Sequence, residues 1–294
     1  MPPAVTRAHA PLLALSAALL VLATGCAGAP AAASGGSAED PASVLRAGVA
    51  AGTPVLRPTV LGTLPHDTDA WTEGLEIDGG VLYEGTGLSG RSELRELDPA
   101  TGRPLREVPL PDELYGEGVT ALGSTVWQLT WEDGVALRWD VGPGRAGPPA
   151  PPRRLPWAGE GWGLCHTSDG RLVASDGSDR LRVLSGSDLT PVRTVPVRLA
   201  GRPLRALNEL ECTPSGVWAN VYQTDWLVRI DLVSGQVTAA VDAGGLLPAD
   251  HRGGLPQSAD VLNGIAAVPG TDQFLLTGKY WPSLFRVRFT SVRG

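Results

Sequence analysis

Hydrophobic and polar positions alternate in short runs along most of the chain, as in Val81-Leu82-Tyr83-Glu84, Leu94-Arg95-Glu96-Leu97 and Val217-Trp218-Ala219-Asn220. A period of two places alternate side chains on opposite faces of an extended strand. Turn residues bound the runs, for example Asp78-Gly79-Gly80, Thr101-Gly102, Ser168-Asp169-Gly170 and Ser234-Gly235. Such residues end a strand after a few positions. No stretch beyond the amino-terminal segment carries a convincing 3.6-residue stripe. The pattern predicts an all-β domain.

The strands recur as a unit. Five windows align: Trp71–Leu75, Tyr115–Val119, Glu160–Leu164, Ala206–Leu210 and Val261–Ile265. Their fifth position is always aliphatic, at 75, 119, 164, 210 and 265, with spacings of 44, 45, 46 and 55. Each window leads into a turn, an alternating strand, a third strand, another turn and a short last strand. Four short strands in roughly 40–50 residues mark a propeller blade, so five units predict a five-bladed β-propeller. The last unit, ending at Leu284–Phe289, is one strand short. Val55–Leu64, ahead of the first unit, reads as the strand that completes it and closes the ring. Closure leaves only short, protected edges. The proline-rich stretch 143–156 is unsuited to a sheet interior and reads as a connection between the second and third units. Leu246–Asp260 reads as a further loop.

The amino terminus follows another pattern. Leu12–Ala23 is an apolar run broken only by Ser16. It is too short to span a bilayer and has the length of a signal-peptide core. It ends Leu22-Ala23-Thr24-Gly25-Cys26, which resembles a bacterial lipobox with its aliphatic residue one place further out than usual. Lipidation of Cys26 is expected, with export and anchoring to the outer face of the cell membrane; plain secretion is the alternative. Residues 27–51 are rich in Ala, Gly, Ser and Pro and read as a flexible tether. The organisation is therefore 1–26 signal and lipobox, 27–51 tether, and 52–294 propeller. Export makes a disulfide possible. Cys165 and Cys212 fall on neighbouring innermost strands, offset by one residue, which leaves a bridge and two free thiols equally open.

Composition changes the picture in two places. The net charge is −7 without a basic stripe, so nucleic acid is not an expected partner. The 24 basic residues include a single lysine, Lys279. An ammonium is a compact point charge and a guanidinium a planar fork, so a lone lysine among arginines is a candidate functional group.

A longer series of motifs carries a resemblance. In order they include Glu73-Gly74-Leu75-Glu76, Leu82-Tyr83-Glu84-Gly85-Thr86-Gly87, Tyr115-Gly116-Glu117-Gly118, Gln128-Leu129-Thr130-Trp131 and Glu160-Gly161-Trp162-Gly163-Leu164. Ser175-Asp176-Gly177-Ser178, Leu207-Asn208-Glu209-Leu210-Glu211, Leu262-Asn263-Gly264-Ile265 and Thr277-Gly278-Lys279-Tyr280-Trp281-Pro282 follow. Over about Leu56–Phe289 the chain resembles the glutamine cyclotransferases of the plant and bacterial five-bladed type. The resemblance implies a glutaminyl-peptide cyclotransferase, an acyltransferase that converts N-terminal glutamine to pyroglutamate and releases ammonia. It implies Glu117 as acid/base, with Lys279 and Asn208 as further catalytic groups at the mouth of the central channel. Trp162 and Trp131 match family tryptophans, and Trp71, Glu73 and Tyr222 complete the expected substrate pocket. Two positions depart: the family often has glutamine at 73 and tryptophan at 222. Trp127, Trp139, Trp218 and Trp226 are assigned to packing between blades.

The chemistry needs little else. The α-amine attacks its own side-chain amide, so proximity is already built into the substrate. The expected partner is a peptide or protein with N-terminal glutamine, the membrane is met only through Cys26, and a monomer is expected. No cofactor is required, and the histidines show no metal-ligand spacing, although a structural calcium in the channel stays open. The main rival is a non-catalytic envelope propeller that binds peptide or sugar at the same mouth.

Overall fold

A computed structural model describes residues 39–141, 151–249 and 260–292. The signal segment, Cys26 and the first part of the tether lie outside the described residues, as do 142–150 of the proline-rich stretch and 250–259 of the long loop.

The described chain starts with helix α1 (Pro41–Ala50) and strand β1 (Val55–Pro65). A four-stranded antiparallel sheet follows, from β2 (Thr72–Asp78), β3 (Val81–Thr86), β4 (Glu93–Leu97) and β5 (Pro104–Pro109). The second comprises β6 (Gly116–Leu122), β7 (Thr125–Thr130), β8 (Val135–Asp140) and β9 (Arg153–Pro156). The third comprises β10 (Leu164–His166), β11 (Arg171–Ala174), β12 (Arg180–Ser185) and β13 (Pro191–Pro196). A hairpin of β14 (Arg198–Leu199) and β15 (Arg202–Pro203) leads into β16 (Leu207–Thr213), β17 (Gly216–Val221), β18 (Trp226–Ile230) and β19 (Val237–Asp242). The last strands are β20 (Leu262–Ala267), β21 (Gln273–Gly278) and β22 (Ser283–Ser291).

β1 pairs antiparallel with β22, from Leu56 opposite Ser291 to Pro65 opposite Ser283. It supplies the fourth strand that the last unit lacks. It also meets β19 in parallel, at Val55–Ala240 and Leu56–Val241. The last two units therefore share one eight-stranded sheet. The first strand of each unit touches the first strand of the next: β2 with β6, β6 with β10, β10 with β16, β16 with β20, and β20 with β2.

The aliphatic fifth positions explain why these strands sit innermost. Leu75, Val119, Leu164, Leu210 and Ile265 are all buried, each in an apolar cluster between sheets. Burying such a side chain contributes about 1.5–3 kcal/mol. Trp127, Trp139 and Trp218 are buried between sheets, and Trp226 packs half-buried on the same kind of core. Cys165 on β10 and Cys212 on β16 form a disulfide, with Cα atoms 5.4 Å apart.

Two expectations are corrected. The tether expected over 27–51 contains a helix at 41–50. Asp40 caps it by accepting from the Ala42 and Ser43 amides, and Pro41 opens its first turn. Val44 and Leu45 then bury against the core that holds Leu199 and Leu204. The helix has few residues and little apolar surface, so its stripe does not rise above the Ala- and Gly-rich background. The proline-rich connection expected to run to 156 also ends sooner. Arg153–Pro156 is the outermost strand β9, paired only with β8, and an edge strand tolerates proline.

Glu209 ties the innermost strands together. Its carboxylate accepts the Leu75 amide of β2 at 3.2 Å and the Ile265 amide of β20 at 2.8 Å, fully buried. Glu209→Leu removes the acceptor for both. An unsatisfied buried amide costs about 1–3 kcal/mol, so thermal denaturation should show a Tm lower by several degrees. An unchanged Tm would mean that these bonds contribute nothing net.

Candidate active site

The repeated windows converge on one place. Their third positions are Glu73, Glu117, Trp162, Asn208 and Asn263. In four of the five, a β-bulge falls at this residue: the register shifts between Thr72 and Gly74, Gly116 and Val119, Leu207 and Leu210, and Leu262 and Ile265. A bulge re-aims a side chain out of the alternation of its strand. The next residue is glycine in four windows, and the reason is close approach. A Cβ on Gly118 would lie 2.5 Å from the Trp162 carbonyl oxygen, and one on Gly163 2.2 Å from that of Asn208.

A cavity of about 210 Å³ opens where these residues meet, lined by Glu73, Glu117, Trp162 and Asn208 from the third positions of the windows. Trp71 and Tyr115 precede β2 and β6, while Trp131, Tyr222 and Lys279 follow β7, β17 and β21 and complete the lining. All eight residues expected from the sequence to form the catalytic and substrate-binding set therefore line one cavity.

Within it Lys279 makes an ion pair with Glu73, both buried, and its ammonium sits 4.8 Å from the centre of the Trp71 ring. Tyr280 adopts φ +60° and its amide binds the Ala70 carbonyl at 2.8 Å. Its ring meets Trp71 edge-on at 4.9 Å. That turn directs Lys279 inward. Glu73 also accepts from the Tyr115 hydroxyl at 3.1 Å and from the Asn263 amide nitrogen at 3.2 Å. One oxygen of Glu160 accepts both indole N–H groups of Trp131 and Trp162, each at 2.9 Å. Trp162 packs against Tyr222 at 5.4 Å and over Gly177, where a Cβ would lie 2.7 Å from the indole.

The sequence pattern that defines glutamine cyclotransferases matches residues 27–289. The chain belongs to the glutamine cyclotransferase family. It is 35% identical over 235 residues to a glutaminyl-peptide cyclotransferase of Arabidopsis thaliana, a match covering 78% of this chain and 70% of the relative. It is similar in structure to the glutaminyl cyclase of Myxococcus xanthus, with TM-score 0.73 and 34% identity over 82% of this chain and 99% of that one.

Electrostatics separate the two carboxyl groups of this cyclotransferase site. Burial holds Glu117 well above the usual carboxylate range, and the neighbouring Glu73 charge adds to this against Lys279. Burial also raises Glu73, but Lys279 opposes it directly with its charge and hydrogen bond. Lys279 pairs with Glu73, so it favours the charged form of that group more directly than that of Glu117. Burial and both carboxylates raise the Tyr115 hydroxyl as well, so it remains a donor. Among the described residues, no group of three or more His, Cys, Asp or Glu side chains is placed to hold a metal ion.

Three residues had no assigned role from sequence: Tyr115, Glu160 and Asn263. The signal was available, because Tyr115 and Glu160 hold the first position of a repeated window and Asn263 the third. Reading the repeat for its polar positions, besides its aliphatic marker, finds them. Glu160→Leu frees both indoles from their shared acceptor. Steady-state kinetics should show KM up by about tenfold with kcat changed less, the signature of lost uniform binding. An unaltered KM would place both tryptophans by packing alone.

Proposed function

We propose that the chain is a five-bladed β-propeller, closed by β1 in the last blade, and that it catalyses the cyclisation of N-terminal glutamine in peptides to pyroglutamate. The cyclic contacts of the five innermost strands support the ring. Family membership supports the activity. The observation that carries the reading is the single lysine of the chain, ion-paired beside a second, protonation-prone carboxyl in an aromatic-walled cavity.

The reaction is an intramolecular acyl transfer. The α-amine forms a bond to the δ-carbonyl carbon, the carbonyl oxygen becomes an oxyanion, and the C–N bond to the amide nitrogen breaks to give ammonia. The amine must enter neutral, and its unperturbed pKa is about 7.7–8.0. Lys279 and Asn208 donate to the oxyanion, with Glu73 orienting the ammonium. Glu117 delivers its proton to the departing nitrogen and recovers one from the attacking amine. Trp71, Trp131, Trp162 and Tyr222 enclose the glutamine stem. Side chains meet each need, so the mechanism calls on no cofactor. The substrate is a peptide or protein with N-terminal glutamine. The enzyme acts as an exported monomer held to the outer face of the membrane through Cys26.

Ammonia release from the dipeptide Gln-Ala tests the reading, and a folded protein inactive across mildly acidic to mildly basic pH would leave the peptide- or sugar-binding alternative. The pH profile tests the carboxyl pair. Activity should rise as the amine loses its proton and fall as Glu117 loses the one it delivers. The Glu73 charge moves that fall to higher pH, because a like charge disfavours ionisation of Glu117. Glu73→Gln should therefore shift the descending limb to lower pH. A limb that stays in place rules out this coupling.

A further inference from the structure

A second cavity, of about 390 Å³, opens beside the first. Trp71 lines both. The other partition is Gly87, where a Cβ would lie 2.6 Å from the Tyr115 ring and 2.9 Å from Glu73 Oε1. The wall between the cavities is thus one indole and one residue without a side chain. Topology places both on one face. Residues 66–71 lead into the start of β2, and residues 87–92 leave the end of β3, which is the edge where Glu73 and Glu117 sit. A peptide whose first residue occupies the first cavity has the second within reach across Trp71.

The charge of the second cavity is one-sided. Asp67, Asp69, Glu93 and Glu107 line it, against Arg91 and Arg95. Arg95 is already engaged, at 3.3 Å from the fully buried Glu84, 3.0 Å from Asp67, 2.6 Å from Glu107 and 3.7 Å from Glu93. Arg91 forms no ion pair with a described residue. Carboxylates are therefore left in excess once Arg95 is paired. Glu93 reports the same field: burial raises its pKa, Arg95 opposes, and Glu107, Asp67 and Glu84 raise it further.

We propose that this cavity is a subsite for the residues that follow the N-terminal glutamine, and that it selects a lysine or arginine side chain. The assignment rests on the cyclotransferase reading above and goes beyond it by naming a substrate class. A cationic side chain crossing Trp71 meets the aromatic face first and the carboxylates next. An acidic side chain on the same path meets a net negative charge, four lining carboxylates against two guanidiniums.

Two readouts on the full-length protein test the subsite separately from the chemistry. The first is kcat/KM for ammonia release from Gln-Lys-Ala, Gln-Ala-Ala and Gln-Glu-Ala. The second is calorimetric binding of the corresponding pyroglutamyl tripeptides, which needs no turnover. The lysine peptide should exceed the glutamate peptide by on the order of tenfold at low salt, with the ratio shrinking at high salt. Arg91→Glu should widen the ratio and Asp69→Asn should narrow it, in both readouts. Equal turnover and binding for the three peptides overturns the subsite and leaves the cyclotransferase reading standing. Unequal turnover that ignores both substitutions overturns it too. Charge-dependent binding without ammonia release from any peptide keeps the subsite and overturns the activity.

Discussion

Lys279→Met is expected to lose both activity and stability, and the two losses have separable causes. Activity falls because the ammonium is a donor to the developing oxyanion; removing one such donor costs about 10²–10³ in kcat. Stability falls because Glu73 is left buried without its counter-charge, its remaining partners being the Tyr115 hydroxyl and the Asn263 amide. Breaking a buried ion pair from one side costs about 3–5 kcal/mol. That is a large share of the roughly 5–15 kcal/mol that holds a domain folded. The double variant Lys279→Met/Glu73→Gln removes the stranded carboxylate. It should recover most of the stability and none of the activity. Chemical denaturation and ammonia release, measured on the single and double variants, check both halves. Recovery of activity in the double variant would remove Lys279 from the chemistry.

Glu117→Gln carries the second large effect, of about 10²-fold or more in kcat. Glutamine keeps the size of the group and loses the proton it must deliver. Folding should be little changed, since burial and the Glu73 charge already favour the uncharged form that glutamine imitates. KM should also hold, because the neutral group still fits the cavity wall. A loss in kcat at constant Tm and KM is what an acid/base role requires. A variant as active as the parent would pass the role to Glu73, the other carboxylate in the cavity.

Residues 1–38 precede the described fold, and α1 docks on the β-domain through Val44 and Leu45. A variant truncated at residue 51 would strip that helix from its apolar seat, so comparisons belong on proteins that retain it.

The sequence by itself determined the strand pattern and the five repeated units, and its resemblance to the family named eight of the nine cavity-lining residues, all but Tyr115. The strands and the repeat are local or periodic properties. Alternation follows from strand geometry, turns follow from Gly and Asp positions, and an aliphatic residue recurs wherever the same unit must bury the same point. Glu73, Glu117, Trp162 and Asn208 were legible before any coordinate because the motifs that hold them resemble those of the glutamine cyclotransferases.

Tertiary structure decided the pairings between units. The partner of Glu73 is Lys279, 206 residues away, and nothing in either neighbourhood selects it over Glu117. The union of Cys165 with Cys212 depended on the offset between two strands of different units. Glu160 holds Trp131 from another sheet, and Glu209 reaches across to β2 and β20. Each is set by a distance and a burial that exist only once the units pack. The second cavity belongs to the same class, because its charge balance depends on which carboxylates Arg95 has already taken.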